Sequence, residues 1–448
     1  MFKLLNERLL IFPLSYDLKK VTTMTNGTGI SVCVIGAGTA GLTALKNSLE
    51  HQLNVVCYEQ GKVLGGTWVY EDLSPNIRDD DEIHSSMYQG LRTNLPKEVM
   101  GYLDFPYPQS MQESFVGSQV VLDFLNLYAD HYNLKRHIKF QHEVVRVKPR
   151  CNNQWEVHVL DHCTDKCFVT VFDRIFICNG HYTKPQYPRI DGMELFQGCK
   201  MHSHIYREPQ KFKGENVLII GAGPSGMDLA NHISKTANRI FLSHHLKEAP
   251  DTDFMGTVTQ KPDVKRFTRT GAIFKDGTEE EFSCVIFCTG YQYSFPFLSV
   301  DCGIYVTNNH VQPLYKHCIN IQHPTMAIIG IPYLVLPTQC FDLQVRFALK
   351  YFVNEKELPS TEEMMEELRR DMKERKERGL SERDAHQMGE KQFDYYKELA
   401  AVAGHNVKPV IAKIMKDCSK KYIYELETYR EYQFTIVDDE YFVKVPSK

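Results

Sequence analysis

Two hexapeptides carry the chemistry that can be read first: Gly36-Ala37-Gly38-Thr39-Ala40-Gly41 and Gly221-Ala222-Gly223-Pro224-Ser225-Gly226. Both have the spacing Gly-x-Gly-x-x-Gly. The first glycine permits a tight turn, the second lets backbone approach a pyrophosphate, and the third lets a helix lie close to a sheet. A helix starting at each turn offers that pyrophosphate free N–H groups and the positive end of its dipole. Past the first hexamer, Glu59 stands 18 residues beyond Gly41 and closes the apolar run Val55-Val56-Cys57-Tyr58. A carboxylate there can accept hydrogen bonds from ribose hydroxyls. Past the second, the run Arg239-Ile240-Phe241-Leu242 ends on Ser243-His244-His245 instead. A carboxylate would repel a 2′-phosphate, whereas the Ser243 hydroxyl and the His245 imidazole can hydrogen-bond one. The first site therefore suits an unphosphorylated adenosine ribose and the second suits NADP.

Two dinucleotide sites in one chain pair naturally, because nicotinamide delivers hydride and a flavin accepts it. FAD is expected in the first site and NADPH in the second. The order follows from the loop after Glu59 and Gln60, where Gly65-Gly66-Thr67-Trp68 sets a small-residue turn and an aromatic beside the first nucleotide.

The surrounding elements have the order such sites need. Ser31 to Ile35 is a short β-branched run, and Leu42, Leu45 and Leu49 then recur at helical spacing. Val217 to Ile220 repeats the strand, and Met227, Leu229, Ala230 and Ile233 repeat the helix face. Two further apolar runs end on a polar residue and glycine, Ile175 to Gly180 and Val285 to Gly290. Such ends suit return crossings between nucleotide domains. The predicted class is α/β, with two Rossmann-like dinucleotide-binding domains and the NADP domain inserted into a split FAD domain. The predicted limits are an N-terminal extension over 1–29, the first segment of the FAD domain over 30–211, the NADP domain over 212–325, and the remainder of the FAD domain with a helical C-terminal region over 326–448.

Composition excludes more than it selects. Among 448 residues, 43% are apolar and 24% charged, with 52 Lys plus Arg against 56 Asp plus Glu. That is an ordinary globular enzyme without the basic excess that nucleic acid or an anionic membrane would call for. The thirteen cysteines include no Cys-x-x-Cys pair, and no His/Cys cluster has metal-ligand spacing, so no metal is expected. An odd, irregular cysteine set favours a reducing compartment, the cytosol. No run approaches the ~20 apolar residues of a spanning helix. The N-terminal stretch lacks a small-residue cleavage site, which argues against a signal peptide.

Between the glycine motifs, Phe196-Gln197-Gly198-Cys199-Lys200-Met201-His202-Ser203-His204-Ile205-Tyr206 matches F-x-G-x-x-x-H-x-x-x-[FY]. With Thr93-Asn94-Leu95-Pro96-Lys97-Glu98 and Cys288-Thr289-Gly290-Tyr291, it makes the chain resemble the flavin-containing monooxygenases over roughly residues 30–350, most closely their insect N-oxygenase branch. Related Baeyer–Villiger enzymes carry Trp where this chain has Tyr206.

The resemblance implies a monooxygenase that takes FAD, NADPH and O2 and oxygenates the soft nitrogen or sulfur of a small-molecule amine or sulfide through a C4a-hydroperoxyflavin. It implies that residues 36 to 41, Glu59, Gln60, Gly66, Thr67 and Trp68 meet FAD. Gly221, Gly223, Pro224, Ser225, Gly226, Met227, Asp228, Ser243 and His245 would lie on the NADP side. Asn94 matches the family's active-site asparagine, with Thr93, Thr289, Gly290 and Gln339 near the cofactors, and His202 would act structurally. Family members commonly have Ser-x-Arg where Ser243-His244-His245 stands, so a guanidinium is replaced by imidazole and strict preference for NADPH is weakened. Family habit implies a homodimer or higher assembly. Two other readings stay open on the residues alone, an NADPH:disulfide-type flavin reductase and a catalytically silent nucleotide-binding protein. Residues 361–392, rich in Glu and Arg, read as a solvated helix.

Overall fold

The computed structural model describes residues 21–23, 29–72, 83–247, 249–252, 254–419 and 421–446. Of the N-terminal extension, Val21–Thr23 forms a short strand parallel to Lys166–Phe172; residues 1–20 and 24–28 lie outside the described residues.

The first unit is a seven-stranded sheet in the order Leu314–Tyr315, Ile319–Asn320, Met326–Ile328, Arg174–Ile177, Ser31–Ile35, Asn54–Glu59, Ile138–Phe140. From Met326–Ile328 onward every pairing is parallel. Ser31–Ile35 is buried at all five positions, as a strand covered on both faces must be. Successive side chains point to opposite faces, and the core splits accordingly. Val32, Val34, Val55 and Cys57 pack with Leu42 and Leu45 of helix α1 (Thr39–Glu50). Cys33, Ile35, Val56 and Tyr58 pack with Val144, Val147, Trp155 and Val157 of an antiparallel sheet on the other side.

The second unit repeats the plan. Its five parallel strands run in the order Cys199–His202, Cys284–Phe287, Asn216–Ile220, Arg239–Ser243, Val258–Lys261. Val217 and Ile219 face Met227, Leu229 and Ile233, while Leu218 and Phe241 face Phe267 and Phe274 of a small antiparallel sheet. The chain leaves the first unit through Lys184–Pro185 and returns through Tyr291–Gln292, and these two crossings pair antiparallel. The insertion is therefore earlier at both ends than the segment 212–325. Cys199–His202 joins the second sheet from upstream of residue 212, and Leu314–Tyr315 and Ile319–Asn320 belong to the first sheet.

Helix α2 (Ser118–His131) and helix α4 (Pro337–Phe352) complete the cover over the first sheet. Here α3 denotes Pro224–Ser234 of the second unit. Asp342 on α4 is fully buried and accepts hydrogen bonds from Thr43 Oγ1 at 2.7 Å, Asn47 Nδ2 at 2.9 Å and Arg346 Nε at 3.0 Å. This ties α4 to α1.

The charged stretch is more than a solvated helix. Thr361–Glu377 (α5) opens on a capping box in which Ser360 Oγ accepts from the Glu363 N–H at 3.2 Å and Glu363 Oε2 from the Ser360 N–H at 2.8 Å. Near its end, however, the guanidinium of Arg375 is buried and donates to the Gln387 carbonyl at 2.6 Å. Among the described residues no helix is long and apolar enough to cross a membrane.

Candidate functional site

The two glycine turns are built alike. The Gly36 N–H donates to the Tyr58 carbonyl at 2.8 Å, and the Gly221 N–H to the Ser243 carbonyl at 2.9 Å. Their φ angles are +97° and +105°, in the region that favours glycine. A Cβ on Gly36 or Gly221 would stand 2.6 Å from the carbonyl oxygen of Cys178 or Cys288. On Gly41 or Gly226 it would stand 1.7 Å from the carbonyl oxygen of Gly36 or Gly221. The segments ending in Asn179-Gly180 and Thr289-Gly290 thus close the two turns from behind, at the places expected for return crossings.

α1 and α3 start from Gly38 and Gly223, and neither N-terminus has a side-chain cap. Pro224 takes the first position of α3, where a missing N–H costs nothing. Ser225 is exposed beside it, Met227 is buried beneath, and a Cβ on Gly223 would meet nothing within 4 Å. Backbone N–H groups at a helix start, facing space that glycine keeps clear, fit a pyrophosphate.

In the first turn the Glu59 carboxylate is held by the Ala37 and Gly61 N–H groups, each at 2.7 Å. Each oxygen keeps a lone pair for a ribose hydroxyl. The Gly65 N–H donates to the Ala37 carbonyl at 3.0 Å, which lays the Gly66-Thr67-Trp68 loop against the turn. Thr67 accepts from Ser85 Oγ at 2.8 Å. Thr39 accepts at its carbonyl from the Tyr102 hydroxyl at 2.9 Å, and Ala40 is buried. Gln60 is exposed, its amide 3.4 Å from His84 Nδ1. The residues present fit an FAD-type dinucleotide at this turn.

At the second turn, position matters more than composition suggested. Because the Ser243 carbonyl takes the bond that the Tyr58 carbonyl takes in the first turn, Ser243 matches Tyr58 and His244 matches Glu59. Ser243 is buried and donates to the Pro262 carbonyl at 2.9 Å, and His244 Nε2 lies 3.0 Å from Gln260 Oε1. His245 is exposed, 3.1 Å from Asp263 Oδ1. Burial works against ionising Asp263, but Lys275 and His245 outweigh it and hold the carboxyl below its ordinary range.

Thr93 is fixed by two bonds to Val116: its N–H donates to the Val116 carbonyl at 2.8 Å and its Oγ1 accepts from the Val116 N–H at 3.1 Å. The neighbouring Asn94 side chain is exposed. Gln339 is buried on α4 and donates to the Gly101 carbonyl at 2.7 Å. Thr289 Oγ1 donates to the Gln186 carbonyl at 2.5 Å. His202 is fully buried; its Nε2 donates to the Gly290 carbonyl at 3.1 Å while Nδ1 accepts from the His204 N–H at 3.1 Å. Burial, reinforced by His204, pushes its pKa down to about 4, so the ring is neutral and its bonds are structural. Gly198 is required because a Cβ would lie 2.4 Å from the Ser283 carbonyl oxygen.

Asp228 is used between the units. It accepts from the Tyr88 hydroxyl and pairs with Arg430 Nη1 at 2.8 Å. Tyr88, Arg207 and Arg430 are the contributors that motif reading missed. Arg207 is buried and donates to the carbonyls of Glu71, Ser85, His204 and Tyr206 at 2.8–2.9 Å, which clamps the motif segment to the loop before Asn94. Its position directly after Tyr206 was the available signal; Tyr88 and Arg430 had none. A cleft of about 690 Å³, lined by Lys184, Gln186, Tyr293, Asn309, Glu382 and Arg383 among others, opens beside the crossing strands and includes no residue of either glycine turn.

The description "flavin-binding monooxygenase-like" matches residues 29–247 and 245–437 of the chain. Senecionine N-oxygenase of Tyria jacobaeae is 33% identical over 421 residues, covering 92% of this chain and 91% of that one. Flavin-containing monooxygenase FMO GS-OX-like 4 of Arabidopsis thaliana is 32% identical, covering 83% and 87%. Among solved structures, S-allyl-L-cysteine S-oxygenase from Allium sativum aligns with a TM-score of 0.86 at 31% identity, over 90% of this chain and 95% of that one.

Proposed function

The chain belongs to the flavin-binding monooxygenase-like family, and on that premise we propose that its first glycine turn holds FAD, its second holds NADPH, and Asn94 stands where the two act together. It is a flavin-containing monooxygenase that uses FAD, NADPH and O2 to oxygenate nitrogen or sulfur of small molecules. The matched relatives are N- and S-oxygenases, which leaves the disulfide-reductase and silent-protein readings without support.

The observation that carries the site assignment is the duplicated turn: two glycines near φ +100°, two uncapped helix starts, and, at the strand end beside the first, a carboxylate held by backbone N–H groups where the second has His244. When bound, the cofactors supply hydride transfer and oxygen activation. The chain's own work is holding, aligning and hydrogen bonding. Glu59 receives the ribose of the first nucleotide, and the N–H groups at the starts of α1 and α3 receive the two pyrophosphates. The Thr93–Val116 bonds and the Arg207 clamp fix the segment that presents Asn94. Its carboxamide donates and accepts without titrating, which suits a site where a stray proton would waste oxygen. The substrate proposed is a tertiary amine or a sulfide. None of the thirteen cysteines forms a disulfide, which supports the cytosol as the compartment.

The test is Asn94→Ala, assayed with a panel of tertiary amines and sulfides for products heavier by one oxygen. The variant is expected to stay yellow with bound FAD and to oxidise NADPH without oxygenating substrate. Normal product yield would remove Asn94 from the site.

A further inference from the structure

Arg430 joins three stretches of chain that lie far apart in sequence. Its Nη1 is 2.8 Å from Asp228 Oδ1, its Nε donates to the Thr93 carbonyl at 3.0 Å, and its Nη2 to the Arg92 carbonyl at 3.4 Å. The guanidinium lies over the Tyr429 ring, 4.8 Å from its centroid. Asp228 is on α3, five residues past Gly223, and its other oxygen accepts from the Tyr88 hydroxyl. The Tyr88 ring in turn packs edge-on against Tyr206 and beside His232. A carboxylate on the helix that starts at the second glycine turn and the peptide just before Asn94 therefore share one guanidinium. The pair is largely shielded, with side-chain exposures of 13% and 19%, so salt screens it little. A planar fork presents separate N–H groups to the carboxylate and to each carbonyl, whereas an ammonium would have to reach all three acceptors from a single nitrogen.

We propose that Arg430 is a positioning residue of the oxygenation reaction: it locks the Thr93–Asn94 peptide in register with α3, so that a nucleotide seated at Gly223 and the Asn94 amide are aligned through one rigid link. The proposal rests on the reading of Asn94 given above. An anionic group drawn onto the start of α3 sets the position of that helix and of Asp228 with it, and the guanidinium passes that position to the Thr93 carbonyl. Asp228 then serves the second motif by transmitting the position of α3 to the Asn94 loop.

The test uses the full chain with bound FAD as wild type, Arg430→Lys, Asp228→Asn and Asn94→Ala. Three readouts are taken: hydrogen–deuterium exchange of residues 89–95 with and without NADP⁺, oxygenated product and peroxide per NADPH oxidised, and kcat and KM for NADPH. In wild type, NADP⁺ is expected to slow exchange across 89–95. Arg430→Lys keeps a positive charge but loses the fork. It should lose that slowing, with product per NADPH falling roughly tenfold or more, within the roughly hundredfold that misplacing a catalytic group by about 1 Å can cost. Peroxide should rise correspondingly, and KM should change less than kcat. Asp228→Asn, which is isosteric, cuts the link from the α3 side and should reproduce the pattern. Retention of both the NADP⁺-dependent slowing and the product yield in Arg430→Lys would overturn the proposal. So would FAD content, melting temperature and activity falling together, the signature of a purely structural bond. Asn94→Ala separates the two levels of the argument: normal yield there defeats the reading of Asn94, whereas lost yield there beside an intact Arg430→Lys defeats this proposal alone.

Discussion

Replacing Gly226 by alanine should disable one nucleotide site and spare the other. The added Cβ would lie 1.7 Å from the Gly221 carbonyl oxygen, where contacts under 3.0 Å essentially do not occur. The obstacle is backbone, so no side-chain rotation relieves it. Either α3 retreats from the turn or the turn opens, by on the order of 1 Å, as overpacked sites generally do at some cost. The N–H groups at the start of α3 then no longer converge on a pyrophosphate. A charge-assisted hydrogen bond contributes about 1.5–3 kcal/mol, and a well-placed helix terminus adds on the order of 1 kcal/mol. Losing one such bond and some of the dipole's contribution comes to about 3 kcal/mol, roughly a hundredfold in Kd. The perturbed turn lies on the second sheet, so Glu59 and the first turn are untouched. The protein should purify yellow with normal FAD content, and a spectral titration should show NADP⁺ binding weakened about a hundredfold. Gly41→Ala, with the same 1.7 Å clash onto the Gly36 carbonyl, should instead yield protein without flavin. NADP⁺ binding within threefold of wild type in Gly226→Ala, or a colourless Gly226→Ala protein, would refute the assignment of the second turn.

His244→Glu should turn the second site away from NADPH. It places a carboxylate where Glu59 stands in the first turn, and like charges about 4 Å apart near a surface repel by roughly 4 kcal/mol before screening. The ratio of kcat/KM for NADPH over NADH should fall at least about tenfold, and an unchanged ratio would contradict the match of His244 to Glu59. Acid should destabilise the fold through its buried histidines. His202 and His317 are held near pKa 4, by burial first in each case, so between pH 6.5 and 4 the unfolded chain binds protons that the folded chain does not. Stability therefore rises with pH through that window, by up to about 3 kcal/mol per histidine; equal urea midpoints at pH 7 and pH 5 would contradict this. Asp342→Ala leaves Thr43 and Asn47 without their shared acceptor while Arg346 keeps Asp104, and should cost about 1–3 kcal/mol, read as a lower urea midpoint.

Legibility in the sequence followed physical constraint. The glycine turns were readable because backbone geometry dictates residue type there: a positive φ and a 1.7 Å approach admit nothing else. The strands feeding them were readable because burial on both faces makes them continuous apolar runs. Cys199–His202 was not, since an edge strand with its first two residues exposed has no periodic signal, and so the start of the insertion was placed too late. Arg430 was invisible for a different reason. Its bond to Thr93 spans 337 residues, and nothing local in Thr428-Tyr429-Arg430-Glu431 marks the arginine as buried. The charged stretch misled in the same way at Arg375, whose guanidinium is buried against Gln387 and His317 from elsewhere in the chain.

The near-identity of the two turns also locates where their difference must lie. Both first glycines bond to the carbonyl at the end of the neighbouring strand at 2.8–2.9 Å, a Cβ on either would stand 2.6 Å from a carbonyl oxygen of its return segment, and both helices start without a side-chain cap. Backbone alone cannot tell a flavin dinucleotide from a nicotinamide one, since each presents the same pyrophosphate to the same N–H groups. On the proposed assignment, the presence of a 2′-phosphate would be read by the residue one step past the shared carbonyl: Glu59, fixed by two N–H donors, against His244, bonded to a neutral amide. A fixed carboxylate favours ribose hydroxyls and repels a phosphate, whereas the imidazole of His244, whose backbone N–H donates to the Lys261 carbonyl of the next strand, excludes neither. Hence the two perturbations argued above separate cleanly. Changing Gly226 acts on binding of any dinucleotide at the second turn, and changing His244 acts on which dinucleotide is bound. A chain in which either substitution produced the other's effect would not be using its two turns as equivalent cradles.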